Sequence, residues 1–99
     1  MNSNKKTNLK NEIKNSFLKI EELFKTDTKH YSIIHFIYFP EHKLEMYNIT
    51  LGKWIRESLL FENTDLIMRF WEQDIYDPYQ MSFIIIKEFY DELQHKKTQ

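Results

Sequence analysis

Three of the four histidines, His30, His35 and His42, are the side chains best suited to metal binding or proton transfer. Their separations of five and seven residues fit no ligand motif, and His-Glu-x-x-His is absent. His42 and Glu45 stand one helical turn apart, a spacing that suits a surface metal pair and equally an i,i+3 ion pair. Asp74 with Asp77, and Asp91 with Glu92, offer acid–base pairs, but carboxylates at solvated helix ends account for them as well. Ser82 falls where a helix should be packed, so contact with a neighbouring backbone fits it better than nucleophilic chemistry. There is no Gly-x-Ser-x-Gly, no Walker loop and no glycine-rich phosphate cradle. Without cysteine, thiolate metal ligation, disulfides and cysteine catalysis are excluded. The expectation is a non-enzymatic protein with no catalytic residues, no metal and no cofactor.

Arg56 is the single charge most suited to binding. It falls mid-helix near the expected core boundary. There it can bridge helices, to Asp77 or Glu57 for instance, or anchor a partner's carboxylate or phosphate through its forked guanidinium. The stretch RFWEQDIYDPY (69–79) sets Phe70, Trp71, Tyr76 and Tyr79 among Glu72, Asp74 and Asp77. Aromatics inside an acidic rim suit a protein-binding surface, because Trp and Tyr dominate hot spots. The alternative places Phe70 and Trp71 in the core, with Tyr76 fastening a helix start and Tyr79 half-exposed. The expected partner-binding set is Arg56, Trp71, Glu72, Asp74, Tyr76 and Tyr79.

The elements that position these residues read as helices. One glycine and two prolines in 99 residues are too few turn signals for an all-β domain, and 16% aromatic residues can fill one core without metal or disulfide. The fold class is all-α, a compact bundle of four to five helices at about 7–26, 29–39, 41–60, 64–73 and 78–95. Residues 1–6 read as a disordered N-terminus, 7–95 as a single domain and 96–99 as a frayed tail. Leu9, Ile13, Phe17, Ile20 and Phe24 make one face of the first helix, widened by Leu18 and Leu23. Asp27 or Thr28 can cap the second. HYSIIHFIYF (30–39) is apolar on every face, and a buried strand and a buried helix both fit it. It lacks an evident pairing strand, which favours helix. Pro40 suits the first turn of the third helix, and Thr64 suits the cap of the fourth. Gly52 lies inside the third helix, where a close crossing would explain it. Asp77 as N-cap, Pro78 at N1 and Gln80 at N3 form a capping box, with Tyr76 and Met81 as its staple. These signals make 78–95 a helix despite its three consecutive isoleucines.

YNITLGKWIRES (47–58) and DPYQMSFIIIKEFYDEL (77–93) resemble an uncharacterised family of small bacterial all-helical proteins. Its pattern reads aromatic-His-x-x-Leu-Gly-x-x-Ile-Arg-Asn, with His/Asp-Pro-Asp-Asp-Met/Ala-Ser-x-x-Ile-Ile further along. Tyr47, Leu51, Gly52, Ile55 and Arg56 match the first block, and Asp77, Pro78, Met81, Ser82, Ile85 and Ile86 match the second. The likeness covers roughly residues 44–93 and implies helices, with no activity attached. The family's His falls on Asn48 and its Asn on Glu57, departures that put in doubt any polar site built from those two residues.

Charge is segregated. Residues 1–30 hold seven lysines against four acids, whereas residues 31–95 hold five Lys or Arg against eleven acids. A nucleic-acid binder shows a basic stripe, and most of this chain has the opposite sign. The leading expectation is an acidic module that antagonises a basic nucleic-acid-processing enzyme by direct binding. In size and charge it resembles immunity proteins against nuclease toxins and phage-encoded inhibitors such as anti-CRISPRs. One alternative is a small RNA-binding protein using Lys10, Lys14, Lys19 and Lys25, and another is a homodimeric subunit. No apolar run reaches the ~18–20 residues of a membrane span, and the start lacks a signal core. A cytoplasmic monomer or homodimer is expected.

Overall fold

The computed structural model describes residues 2–97, and among them the chain forms five α-helices and no strand. These are α1 (Asn2–Thr26), α2 (Ile33–Ile37), α3 (Tyr47–Ile55), α4 (Thr64–Trp71) and α5 (Pro78–Lys97). A 3₁₀ segment, Glu41–Met46, leads into α3, and a π segment, Arg56–Leu60, continues it, so 41–60 is one unbroken but irregular helix. α1 starts at Asn2, ahead of the expected start at 7. α5 continues through Lys97, into the stretch expected to fray, of which residues 98 and 99 lie outside the described residues, as does residue 1. No helix among the described residues is long and apolar enough to cross a membrane.

The spacing of Leu9, Ile13, Phe17, Ile20 and Phe24 does produce a buried face on α1. Leu18 does not widen it: at 3.6 residues per turn it falls on the flank, and it is exposed. α5 is the central element, burying Met81, Ser82, Ile85, Ile86, Phe89 and Tyr90 and packing against α1, α2, α3 and the π segment. Phe89 sits among Phe17, Phe24 and Phe36, with ring centroids 5.3, 6.0 and 5.7 Å away. Edge-on, tilted and stacked ring pairs of this kind add to the gain from burial alone.

The apolar stretch at 30–39 is a helix, but a short one. Ser32 caps α2 by accepting the His35 N–H at 3.1 Å, in place of the expected Asp27 or Thr28. The Asp27 carbonyl instead receives the His30 and Tyr31 N–H groups and ends the preceding turn. Within α2 only Phe36 is buried, while Ile34 and, at its end, Tyr38 face outward. Tyr90 Oη and Gln94 Nε2 from α5 donate to the Phe39 and Ile37 carbonyls, satisfying the end of this short helix.

Other caps lie one residue from their expected positions. Asn63, not Thr64, caps α4, its Oδ1 accepting from Leu66 N at 3.1 Å. Pro40 precedes the third helix as its cap residue instead of occupying the first turn. Asp77 does cap α5, with Oδ1 accepting the Tyr79 N–H at 3.0 Å and its carbonyl accepting the Met81 N–H at 2.9 Å.

Candidate functional site

Asn48, Gly52 and Arg56 are four residues apart in sequence, so they stack along one stripe of α3 and its continuation. The first two turns of α5 face this stripe and contribute Tyr79 and Ser82. Asn48 and Ser82 are fully buried polar side chains, and they meet in one network. Asn48 Nδ2 donates to the Tyr79 carbonyl at 3.0 Å. Arg56 Nη1 donates to Ser82 Oγ at 2.8 Å, and to Asn48 Oδ1 and the Asn48 carbonyl at 3.3 Å each. The single Ser82 hydroxyl proton has two acceptors in reach, Asn48 Oδ1 at 2.7 Å and the Tyr79 carbonyl at 2.9 Å. The Arg56 guanidinium carbon lies 5.0 Å from the centre of the Tyr79 ring, within cation–π range.

Gly52 is required by this network and not by a helix crossing. A Cβ there would collide with Asn48 Oδ1, and would stand 2.8 Å from Asn48 Cγ and 3.0 Å from Arg56 Nη1. The arginine and asparagine thus fold over a bare backbone on their own helix. Immediately beyond, the chain switches to π geometry, with Phe61 N–H reaching the Arg56 carbonyl at 3.3 Å. The extra residue per turn buries Leu59 and Leu60 together and leaves Phe61 outside.

Beside the network opens a cavity of about 130 Å³ lined by Arg56, Leu60, Phe61, Ile67, Trp71, Tyr76, Pro78 and Met81. Arg56 is the only charged lining residue. At its mouth Phe61, Trp71 and Tyr76 are 79%, 51% and 62% exposed. Among the described residues no carboxylate pairs with Arg56, and its Nε and Nη2 hydrogens have no acceptor. No buried side-chain polar atom there lacks a partner, so these hydrogens reach solvent.

Of the expected partner-binding residues, Arg56, Trp71 and Tyr76 converge on this cavity and Tyr79 stacks against Arg56. Arg56 bridges to Asn48 and Ser82 and not to Asp77 or Glu57. Glu72 is engaged with Arg69 at 2.9 Å, which raises the Arg69 pKa chiefly through that hydrogen bond. Asp74, in the left-handed region at φ 59°, accepts the Tyr76 hydroxyl at 3.2 Å. That bond, then the nearby charge, lifts the Tyr76 phenol above its ordinary pKa. Phe70 is core and Trp71 is not.

The four lysines of α1 do not share a stripe. At ~100° per residue, Lys10, Lys14 and Lys25 flank one side of the buried face and Lys19 the other. Accordingly Lys10 neighbours Ile84 and Glu88, whereas Lys19 neighbours Leu59 and Glu62. His30 and His35 line one cleft, but each is engaged with a different neighbour. His30 pairs with Asp27 at 2.9 Å, and His35 Nδ1 meets the Tyr47 hydroxyl at 2.5 Å. Among the described residues no three His, Asp or Glu side chains converge as a metal site would need.

Sequence reasoning passed over Asn48, Ser82, Phe61, Ile67 and Met81 as parts of a site. The Asn48–Gly52–Arg56 spacing was the available signal, since two polar side chains flanking a helical glycine at i±4 can close over it. A family model described as Domain of unknown function (DUF6794) matches residues 6–93, a longer span than the two blocks that carried the resemblance. No curated protein matches the chain and no solved structure matches it.

Proposed function

We propose that this chain, which belongs to the family described as Domain of unknown function (DUF6794), is a non-enzymatic protein-binding module. It docks through the Phe61–Trp71–Tyr76 cleft and antagonises a basic nucleic-acid-processing enzyme by direct binding, in the manner of an anti-CRISPR or a nuclease immunity protein. The observation that carries the reading is the exposure of three large aromatics around one apolar cavity, an arrangement that gains nothing for the isolated fold. Aromatics of this kind concentrate binding energy at interfaces. The charge of the partner is argued from the neighbours of the cleft. Glu57, Glu62, Glu72 and Asp77 each stand next in sequence to a lining residue and are exposed; Glu57 and Glu72 face Lys53 and Arg69, and Glu62 and Asp77 pair with no basic side chain among the described residues. Such a rim accelerates encounter with a positively charged surface and disfavours nucleic acid.

The test is a pull-down from the native host with the intact chain, Trp71→Ala and Phe61→Ala, each split into nuclease-treated and untreated halves. The expected result is a basic nucleic-acid enzyme that survives nuclease treatment and whose recovery drops about tenfold or more with either variant, equivalent to ~1.4 kcal/mol. Retention by both variants, or recovery of RNA alone, refutes the proposal.

A further inference from the structure

The cleft joins two features: an apolar cavity sized for one side chain, and a guanidinium with unused donors. Cavities of ~150 Å³ accommodate a single benzene ring, so about 130 Å³ takes one apolar side chain and not a whole helix face. Arg56 is fixed by Ser82, Asn48 and the Tyr79 ring, so ordering it on binding costs little further entropy. It has no carboxylate partner among the described residues, although the surrounding sequence is acidic. We propose that Arg56 receives the C-terminal carboxylate of the partner protein, whose last, apolar side chain fills the cavity. This rests on the cleft being the docking surface.

A chain end is the occupant that meets both requirements. Its carboxylate and its final side chain leave the same Cα, so the two groups enter one contiguous site together. In an extended internal segment, an acid and the next residue point to opposite faces, and an acid on the same face stands two residues, about 7 Å, from the apolar side chain. The rim selects in the same direction. Glu62 and Asp77, which pair with no basic side chain among the described residues, repel a segment rich in acidic side chains but tolerate a basic tail bearing one terminal carboxylate. The guanidinium fork matches that carboxylate in a two-point hydrogen bond, which a lysine would not reproduce.

The experiment titrates the isotope-labelled full chain with short basic peptides ending in Leu, Ile, Val, Met or Phe, each as the free acid and as the C-terminal amide. Amide, Arg56 side-chain and Trp71 indole N–H resonances report binding up to ~1 mM peptide, the weak limit of a specific site. At least one free acid should shift Arg56 and Trp71 signals together, with its amide bound about tenfold more weakly or worse. The comparison is stringent, because the amide is the more cationic peptide and the surface favours cations. Arg56→Gln should erase the preference, and if that variant does not fold, the acid–amide pair alone decides. Equal binding of acid and amide with shifts at Trp71 overturns the carboxylate role and leaves the docking surface standing. Absence of binding by every free acid overturns it too, and the docking surface is then judged by the Trp71→Ala pull-down.

Discussion

Replacing Gly52 by alanine separates the two physical roles of that residue. In an ordinary helix the change is stabilising by ~1 kcal/mol, because glycine loses more backbone entropy. Here the new Cβ would occupy the place of Asn48 Oδ1 and stand 2.8 Å from Asn48 Cγ. The Asn48 amide must move, and it is fully buried. Moving it disturbs three hydrogen bonds, to the Tyr79 carbonyl and from Ser82 and Arg56. At ~0.5–1.5 kcal/mol each, their loss outweighs the propensity gain. Gly52→Ala should therefore destabilise by about 2 kcal/mol, a fall in Tm of roughly 10 °C for a domain of this size. The same substitution made on Asn48→Ala should reverse sign. With the amide gone, Arg56 Nη1 at 3.0 Å is the remaining near atom; it also loses its tie to Asn48 Oδ1 and can give by a few tenths of an ångström, so the helix gain of up to ~1 kcal/mol returns. Urea unfolding of the two single variants, the double variant and the parent gives the cycle, with an expected coupling of about 3 kcal/mol. A neutral Gly52→Ala, or an equal loss in both backgrounds, would refute the argument that the network dictates this glycine.

The same geometry sets three other expectations. Ser82→Ala removes the hydroxyl that links Arg56 to Asn48 inside the core and should destabilise by ~1–3 kcal/mol, read from the urea midpoint. Glu41→Gln breaks the 2.8 Å pair with Lys87, but both side chains are about half exposed, so the loss should stay under ~1 kcal/mol and vanish in high salt. Tyr47 is raised above its ordinary pKa of 10.0 by burial, and Tyr31 by burial and then by Asp27. Since the folded values exceed the unfolded one, this contribution to stability is complete below about pH 10 and is lost as pH rises through the folded values. Unfolding midpoints measured across that range, with tyrosinate absorbance recorded on the native protein, check both the direction and the window.

The site also explains how Phe61 and Trp71 stay outside the core. The π segment adds one residue between Arg56 and Phe61, and that rotation puts Leu59 and Leu60 in and Phe61 out. A regular helix would carry Phe61 to a different direction. On α4 the buried positions are Leu66 and Phe70, one turn apart, which leaves Trp71 on the shoulder of the helix facing the same cavity.

Features that depend on neighbours within about one helical turn were legible in the sequence. The apolar spacing of α1, the glycine- and proline-poor chain and the Asp77-Pro78 start of α5 specify helices locally, and the all-α class is their sum. The caps of the later helices were legible to within a residue, because Asn63 and Thr64 are both competent and only the chain path chooses between them, whereas the cap of α2 is Ser32 and not Asp27 or Thr28. Arg56 and the 69–79 stretch stood out by type. Contacts between helices are a different matter. Asn48 and Ser82 are 34 residues apart in sequence, so their contact, and with it the reason for Gly52, exists only once α3 lies on α5. The same packing turned Trp71 outward beside Phe61 and Tyr76 and left one guanidinium without a carboxylate among the described residues. Periodicity tells which face of a helix is apolar, whereas the crossing of helices tells what that face, and the polar residues at its edge, will meet.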